Sequence, residues 1–110
     1  MRLVLASVFA LAPFAALAAT QITPISDVQR GSSVTIQGTV ERILDSDEFR
    51  IADATGNLRV YVGPNVVPAN VGETVTVSGI MDDEIIRPEL YAREVVRADG
   101  TTVRLNRSYY

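Results

Sequence analysis

The chain has no cysteine, histidine, tryptophan or lysine. Without cysteine there is no disulfide to staple a small fold and no thiol nucleophile. With histidine missing as well, the soft metal ligands and the usual general base near neutral pH are gone. Serines are present, among them Ser26, Ser32, Ser33, Ser46 and Ser78. No histidine or lysine stands ready to activate one, which disfavours a serine hydrolase. Asp45, Asp47, Asp82, Asp83 and Glu84 supply paired carboxylates of the kind that cleave glycosidic bonds. They fall in hairpin loops, with no evident apolar pocket to raise a pKa. The residues read as a non-enzyme without a cofactor. The net charge is −3 and every cation is an arginine. An acidic chain with few aromatics to turn outward lacks the footprint of a nucleic-acid binder, which draws on phosphate contacts and stacking platforms.

Apolar residues concentrate near the start. Arg2 precedes a nearly pure apolar run over residues 3–17, and Ala16-Leu17-Ala18 offers a small-x-small cleavage signal before Ala19. The run falls short of the roughly 20 residues that span a bilayer, and Pro13 interrupts it. Residues 1–18 are therefore expected to be a cleaved signal peptide that directs the protein to the periplasm. No cysteine follows to carry a lipid anchor. Residues 19–110 suffice for one small domain, with an ordered core expected over about residues 23–105.

Within that domain Thr23-Pro24-Ile25-Ser26-Asp27-Val28 reads as a short helical turn. Thr23 is placed to cap it, Pro24 stands at its first position, and Ile25 and Val28 share one side that plugs an end of the fold. Five strand-like runs follow, at about residues 33–44, 48–54, 57–62, 73–81 and 89–96, with a short sixth at 102–105. In the first, Val34, Ile36 and Val40 alternate with Thr35, Gln37, Thr39 and Glu41. Gly38 interrupts it and permits a bulge or sharp coil, so that one strand serves two sheets. Pro64 and Pro68 make residues 63–72 a loop and argue against a full helix.

Asp53-Ala54-Thr55-Gly56 has type I turn preferences, with Gly56 free to take φ > 0. Phe49 and Ile51 face inward on one side of this turn, and Leu58, Val60 and Val62 on the other. A loop closed by Asp53 and Leu58 pairs Ile51 with Val60 and Phe49 with Val62 inside, and Arg50 with Tyr61 outside. Five antiparallel strands, a coiled first strand and this length fit an all-β, five-stranded Greek-key OB-fold barrel. A β-sandwich is the alternative, but its seven strands are hard to find here.

The chain resembles the bacterial OB-fold stress-tolerance proteins of the YgiW/YdeI type, the BOF family. The resemblance rests on the signal peptide, the turn at residues 25–28, Val34-Thr35-Ile36-Gln37-Gly38-Thr39-Val40, Phe49-Arg50-Ile51-Ala52-Asp53-Ala54-Thr55-Gly56-Asn57-Leu58-Arg59-Val60 and Val75-Thr76-Val77-Ser78-Gly79. These motifs are specific as a set and weak singly. The resemblance implies a periplasmic, non-catalytic binding module linked to envelope stress. The loop at residues 63–72 and the outward Arg50 and Arg59 depart from the family pattern.

The outward face of strands two and three offers Arg50, Arg59 and Tyr61, joined by Gln37 and Thr39 from strand one. Together they make a cationic, aromatic and hydrogen-bonding patch where OB-folds bind oligonucleotides or oligosaccharides. The plainer alternative is that Arg50 stacks on Tyr61 as a cross-strand pair and keeps the sheet soluble. Asp45-Ser46-Asp47-Glu48 and Asp82-Asp83-Glu84 border this face. They are weak candidates for a cation, since neither loop has EF-hand spacing, and solvated turn carboxylates are the simpler reading. Two functions stay open. One is recognition of an envelope glycan or small molecule through this face. The other is pairing with a protein through a sheet edge, with Tyr109-Tyr110 as anchor. Single-stranded nucleic acid is the least favoured partner.

Overall fold

The structure is a computed structural model that describes residues 21–105. The signal-peptide reading of residues 1–18 and the Tyr109-Tyr110 anchor lie outside the described residues.

A 3-10 turn at Ile25–Asp27 precedes six strands: β1 (Ser33–Asp45), β2 (Glu48–Asp53), β3 (Gly56–Tyr61), β4 (Thr74–Met81), β5 (Glu89–Val96) and β6 (Thr102–Arg104). β1, β2 and β3 form an antiparallel meander, β4 returns to pair with β1, and β5 pairs with β4. β5 then runs parallel to β3 and closes the barrel, while β6 extends the sheet beyond β5. Closure leaves few strand edges open to other chains.

The length of β1 makes closure possible. Its first half, to Thr39, pairs with β4, and its second half, from Thr39, pairs with β2. Gly38 stands at the changeover, where a Cβ would collide with the carbonyl of Ala52 and lie 3.1 Å from Ile51 Cγ1. Its role is close approach of two backbones, and the bulges fall further on, between Val40 and Arg42 and between Ile43 and Asp45.

Alternation fills the interior as the sequence requires. Ile36, Val40, Phe49, Ile51, Val60 and Leu90 are fully buried, each stabilising the fold by roughly 1.5–3 kcal/mol relative to exposure. Ile25 joins this cluster and Val28 packs against it, so the 3-10 turn does plug the barrel. Its capping differs from expectation. Pro24 is the N-cap residue, with no side-chain cap of its own, and Thr23 instead donates its N–H to the Thr35 carbonyl at 2.8 Å. The caps come from the β2–β3 turn. The Ile25 N–H donates to Asp53 Oδ2 at 2.9 Å and the Ser26 N–H to Thr55 Oγ1 at 3.0 Å.

Asp53 also sets the register of that hairpin. Its Oδ1 accepts the Thr55 N–H at 2.7 Å, the Thr55 hydroxyl at 2.6 Å and the Gly56 N–H at 3.1 Å, which draws the turn tight around Ala54 and Thr55. Asp53 therefore pairs with Gly56, Ile51 with Leu58, Phe49 with Val60 and Arg50 with Arg59. This corrects the expected pairing by two residues and leaves the inward and outward sets unchanged. Gly56 belongs to β3 and is not among the glycines with positive φ, so its expected left-handed conformation is also corrected. Residues 63–72 form a loop, as the prolines require, tied to the β1–β2 turn by Val62 N–H to Asp47 O at 2.8 Å and Val67 N–H to Ser46 O at 3.0 Å.

Candidate ligand-binding face

Three arginines stand in line across the outside of the barrel. Arg42 of β1 is opposite Arg50 of β2, Arg50 is opposite Arg59 of β3, and Arg59 is opposite Glu89 of β5. Strict alternation from the buried Val40 would aim Arg42 at the core. The bulge at Glu41 resets the parity, so that Arg42 shares the face of Arg50 and Ile43 pairs with the buried Phe49. A parallel row runs through Glu48, Tyr61 and Tyr91. The Tyr61 and Tyr91 rings pack with centroids 5.4 Å apart at 59°.

The loop from β4 to β5 brings a fourth arginine. Arg87, with Ile86 and Pro88, closes over Arg50, Asn57, Leu58 and Arg59 to form a cleft of about 320 Å³. An adjoining cleft of about 300 Å³ is lined by Glu48, Arg59, Arg87 and Glu89. Arg59 Nη1 meets Glu48 Oε1 at 3.4 Å. Among the described residues Arg42, Arg50 and Arg87 form no ion pair. The Glu89 carboxyl is pushed up to about 7, first by burial, then by the hydrogen bond and negative charge of Glu48, with Arg59 pulling the other way. Burial first, and then the charge of Glu89, raises the Tyr91 hydroxyl above its ordinary value.

Of the residues expected at this face, the structure brings Arg50, Arg59 and Tyr61 together. Arg50 meets Arg59, however, and Tyr61 meets Glu48 and Tyr91, so the Arg50–Tyr61 pair is corrected. Thr39 lies opposite Ala52, toward the end of β2 away from the tyrosines. Gln37 belongs to the β1–β4 part of the barrel, where its Nε2 donates to Thr76 Oγ1 at 3.1 Å. The sequence reading missed Arg42, Arg87, Glu89 and Tyr91. For Arg42 a signal existed: a charged residue at an inward position of a strand points to a bulge.

The acidic loops border the face. Asp45 accepts the N–H of Ser46, and Asp82 accepts those of Glu84 and Glu89. No group of three carboxylates among the described residues is placed to hold a metal ion.

A five-stranded barrel closed by a parallel β3–β5 pair, bearing a polar face between the β1–β2 and β4–β5 loops, defines an OB-fold domain. Among solved structures it is similar to the hypothetical protein YgiW from E. coli, with a TM-score of 0.59 and 17% identity over 71% of this chain and 90% of that one. The likeness is one of fold, in agreement with the resemblance drawn from the sequence. No family model matches the chain, and no curated protein matches it in sequence.

Proposed function

We propose that this protein is an exported, non-catalytic OB-fold module that binds an anionic, hydroxyl-rich ligand of the cell envelope, a peptidoglycan-like glycan, on the outer face of β2 and β3. The row Arg42–Arg50–Arg59 carries the reading. Like charges directly opposite one another destabilise a sheet, and an anionic ligand that bridges them turns that cost into charge-assisted hydrogen bonds. Tyr61 and Tyr91 beside the row supply an apolar surface for a sugar ring. Arg87 reaches the same cleft from the β4–β5 loop, on the side where OB-folds take their ligands.

Glu48 and Glu89 are the pair closest to hydrolytic chemistry, since the cleft raises the pKa of one of them. Both line one cleft with Arg59 and Arg87. Arg59 lies 3.4 Å from Glu48, and two guanidinium groups beside the carboxyls favour binding of an anion over cleavage.

Co-sedimentation with isolated cell-wall sacculi at two salt concentrations tests the reading. The double variant Arg42→Ala/Arg50→Ala should bind roughly tenfold less or weaker still, since each charged hydrogen bond contributes about 1.5–3 kcal/mol. Added salt should weaken the wild type more than the variant. If the wild type stays in the supernatant, or both proteins sediment alike, the face is not a glycan site. Pairing with a protein partner through the short edge strand β6 would then be the reading to pursue.

A further inference from the structure

A second groove lies on another side of the barrel. β4 and β5 pair Ser78 with Glu94 and then Gly79 with Ala92, which leaves Arg93 as the extra residue of a bulge. Gly79 makes the bulge possible, because a Cβ there would run into the carbonyl of Tyr91. Arg93 lines a groove of about 600 Å³ together with Ser33, Val34, Thr35 and Ser78, and residues 21–24 form the facing wall. The 2.8 Å hydrogen bond from the Thr23 N–H to the Thr35 carbonyl fastens that wall to β1.

The donors of this groove are not matched by acceptors. Among the described residues, Arg93 Nε is the buried side-chain nitrogen that donates no hydrogen bond. No aspartate or glutamate lines the groove, and Arg93 forms no ion pair among the described residues. The Thr35 and Ser78 hydroxyls lie 2.9 Å apart. Whichever of the two donates to the other, the acceptor keeps a proton to offer outward. A buried donor left unmatched is costly, and native proteins keep few of them without a use. The complement to a guanidinium edge with a neighbouring hydroxyl is a planar anion that only accepts. One cation suits a single negative charge, since the Ile25 and Ser26 N–H groups of the 3-10 turn beside the groove already donate to Asp53 and Thr55. Ile22, Pro24 and Val34 add apolar lining next to that charge.

We propose that this groove is a second binding site, separate from the arginine row, which takes a carboxylate carried on a small apolar group, with Arg93 as its anchor. The proposal rests on the groove alone and stands whether or not the arginine face binds glycan.

Nitrogen-15 NMR titration of the protein tests it with three probes: N-acetylleucine, its neutral amide N-acetylleucinamide, and inorganic phosphate. N-acetylleucine should shift the Arg93 Nε–H resonance and the Ser78 amide saturably, and the neutral amide should bind at least roughly tenfold more weakly. Arg93→Gln should lose the response by a similar factor with its other resonances in place, while Arg50→Ala should titrate as the wild type does. Should Arg93→Gln fail to fold, the contrast between the two leucine probes on the wild type decides the matter. The proposal is overturned by an absent or unsaturable shift, by equal binding of acid and amide, by phosphate binding more tightly than the carboxylate, or by loss of the response in Arg50→Ala.

Discussion

Arg50 stands directly opposite Arg59 across β2 and β3, and Arg42 stands opposite Arg50 on the other side. Because the central charge repels both neighbours, Arg50→Thr should raise stability by about 0.5 kcal/mol, read as a higher urea midpoint with an unchanged slope. The same variant should bind sacculi more weakly. A lower midpoint would show that the Arg50 side chain supports the sheet.

Asp53 holds the β2–β3 turn and caps the 3-10 turn with one carboxylate. The Thr55 hydroxyl first, and also the N–H groups of Ile25, Thr55 and Gly56, keep its pKa below the ordinary carboxylate value, against a smaller desolvation effect. Asp53→Ala should cost about 1–2 kcal/mol, as the loss of a capping residue does. Amide exchange at Ile25 and Ser26 should accelerate together with that at Gly56. Faster exchange at Gly56 alone would show that the 3-10 turn is held by packing of Ile25 and not by the cap.

Three glycines should respond differently to alanine. At Gly38 and Gly79 a methyl group meets backbone that cannot yield, at Ala52 and Tyr91, and Gly→Ala should cost about 1–3 kcal/mol or more. At Gly56 the methyl would sit 3.7 Å from Ile25 Cγ2, an ordinary contact, and the denaturation midpoint should hold. A Gly56→Ala variant as damaged as the other two would place a strained turn at this position after all.

Two carboxylates should give stability opposite dependences on pH. Glu73 accepts two hydrogen bonds from Arg97, at 2.9 and 2.7 Å, and others from the Asn70 and Ala98 N–H groups. Arg97 foremost lowers its pKa from 4.5 to about 2. That stabilisation is present above pH 4.5 and fades as the pH falls toward 2, so Glu73→Gln should melt below the wild type at pH 7, with the gap closing in acid. Glu89, raised from 4.5 to about 7, contributes most below pH 4.5 and loses its contribution as the pH rises through 7. Glu89→Gln should match the wild type at pH 4.5 and melt higher at pH 8. Thermal scans at pH 4.5, 7 and 8 and in acid near pH 2 distinguish these outcomes, and parallel profiles for the two variants would contradict both assignments.

Export is checked directly. Protein recovered from the periplasm should begin near Ala19 by intact-mass spectrometry, as the small residues Ala16 and Ala18 require. Full-length chain in the cytoplasm would remove the envelope as the setting for the proposed ligand.

The alternation of Ile36, Val40, Phe49, Ile51, Val60 and Val77 was enough to establish a half-buried barrel, since a period of two is a local steric property that each residue carries with it. The missing histidine, cysteine and lysine likewise bounded the chemistry without coordinates. The register was not legible, because pairing Arg50 with Arg59 and not with Tyr61 depends on how tightly the Asp53 carboxylate draws the turn. Nor was the arginine row. Arg42 reaches it only through a bulge, Arg87 only through a loop folded over β3, and Glu89 meets Glu48 only because β5 closes on β3. Which way a side chain faces is settled within its own strand, and the sequence alone determined that much wherever no bulge resets the alternation as it does before Arg42. Which side chain stands beside it was decided by barrel closure, which joins residues far apart in the chain.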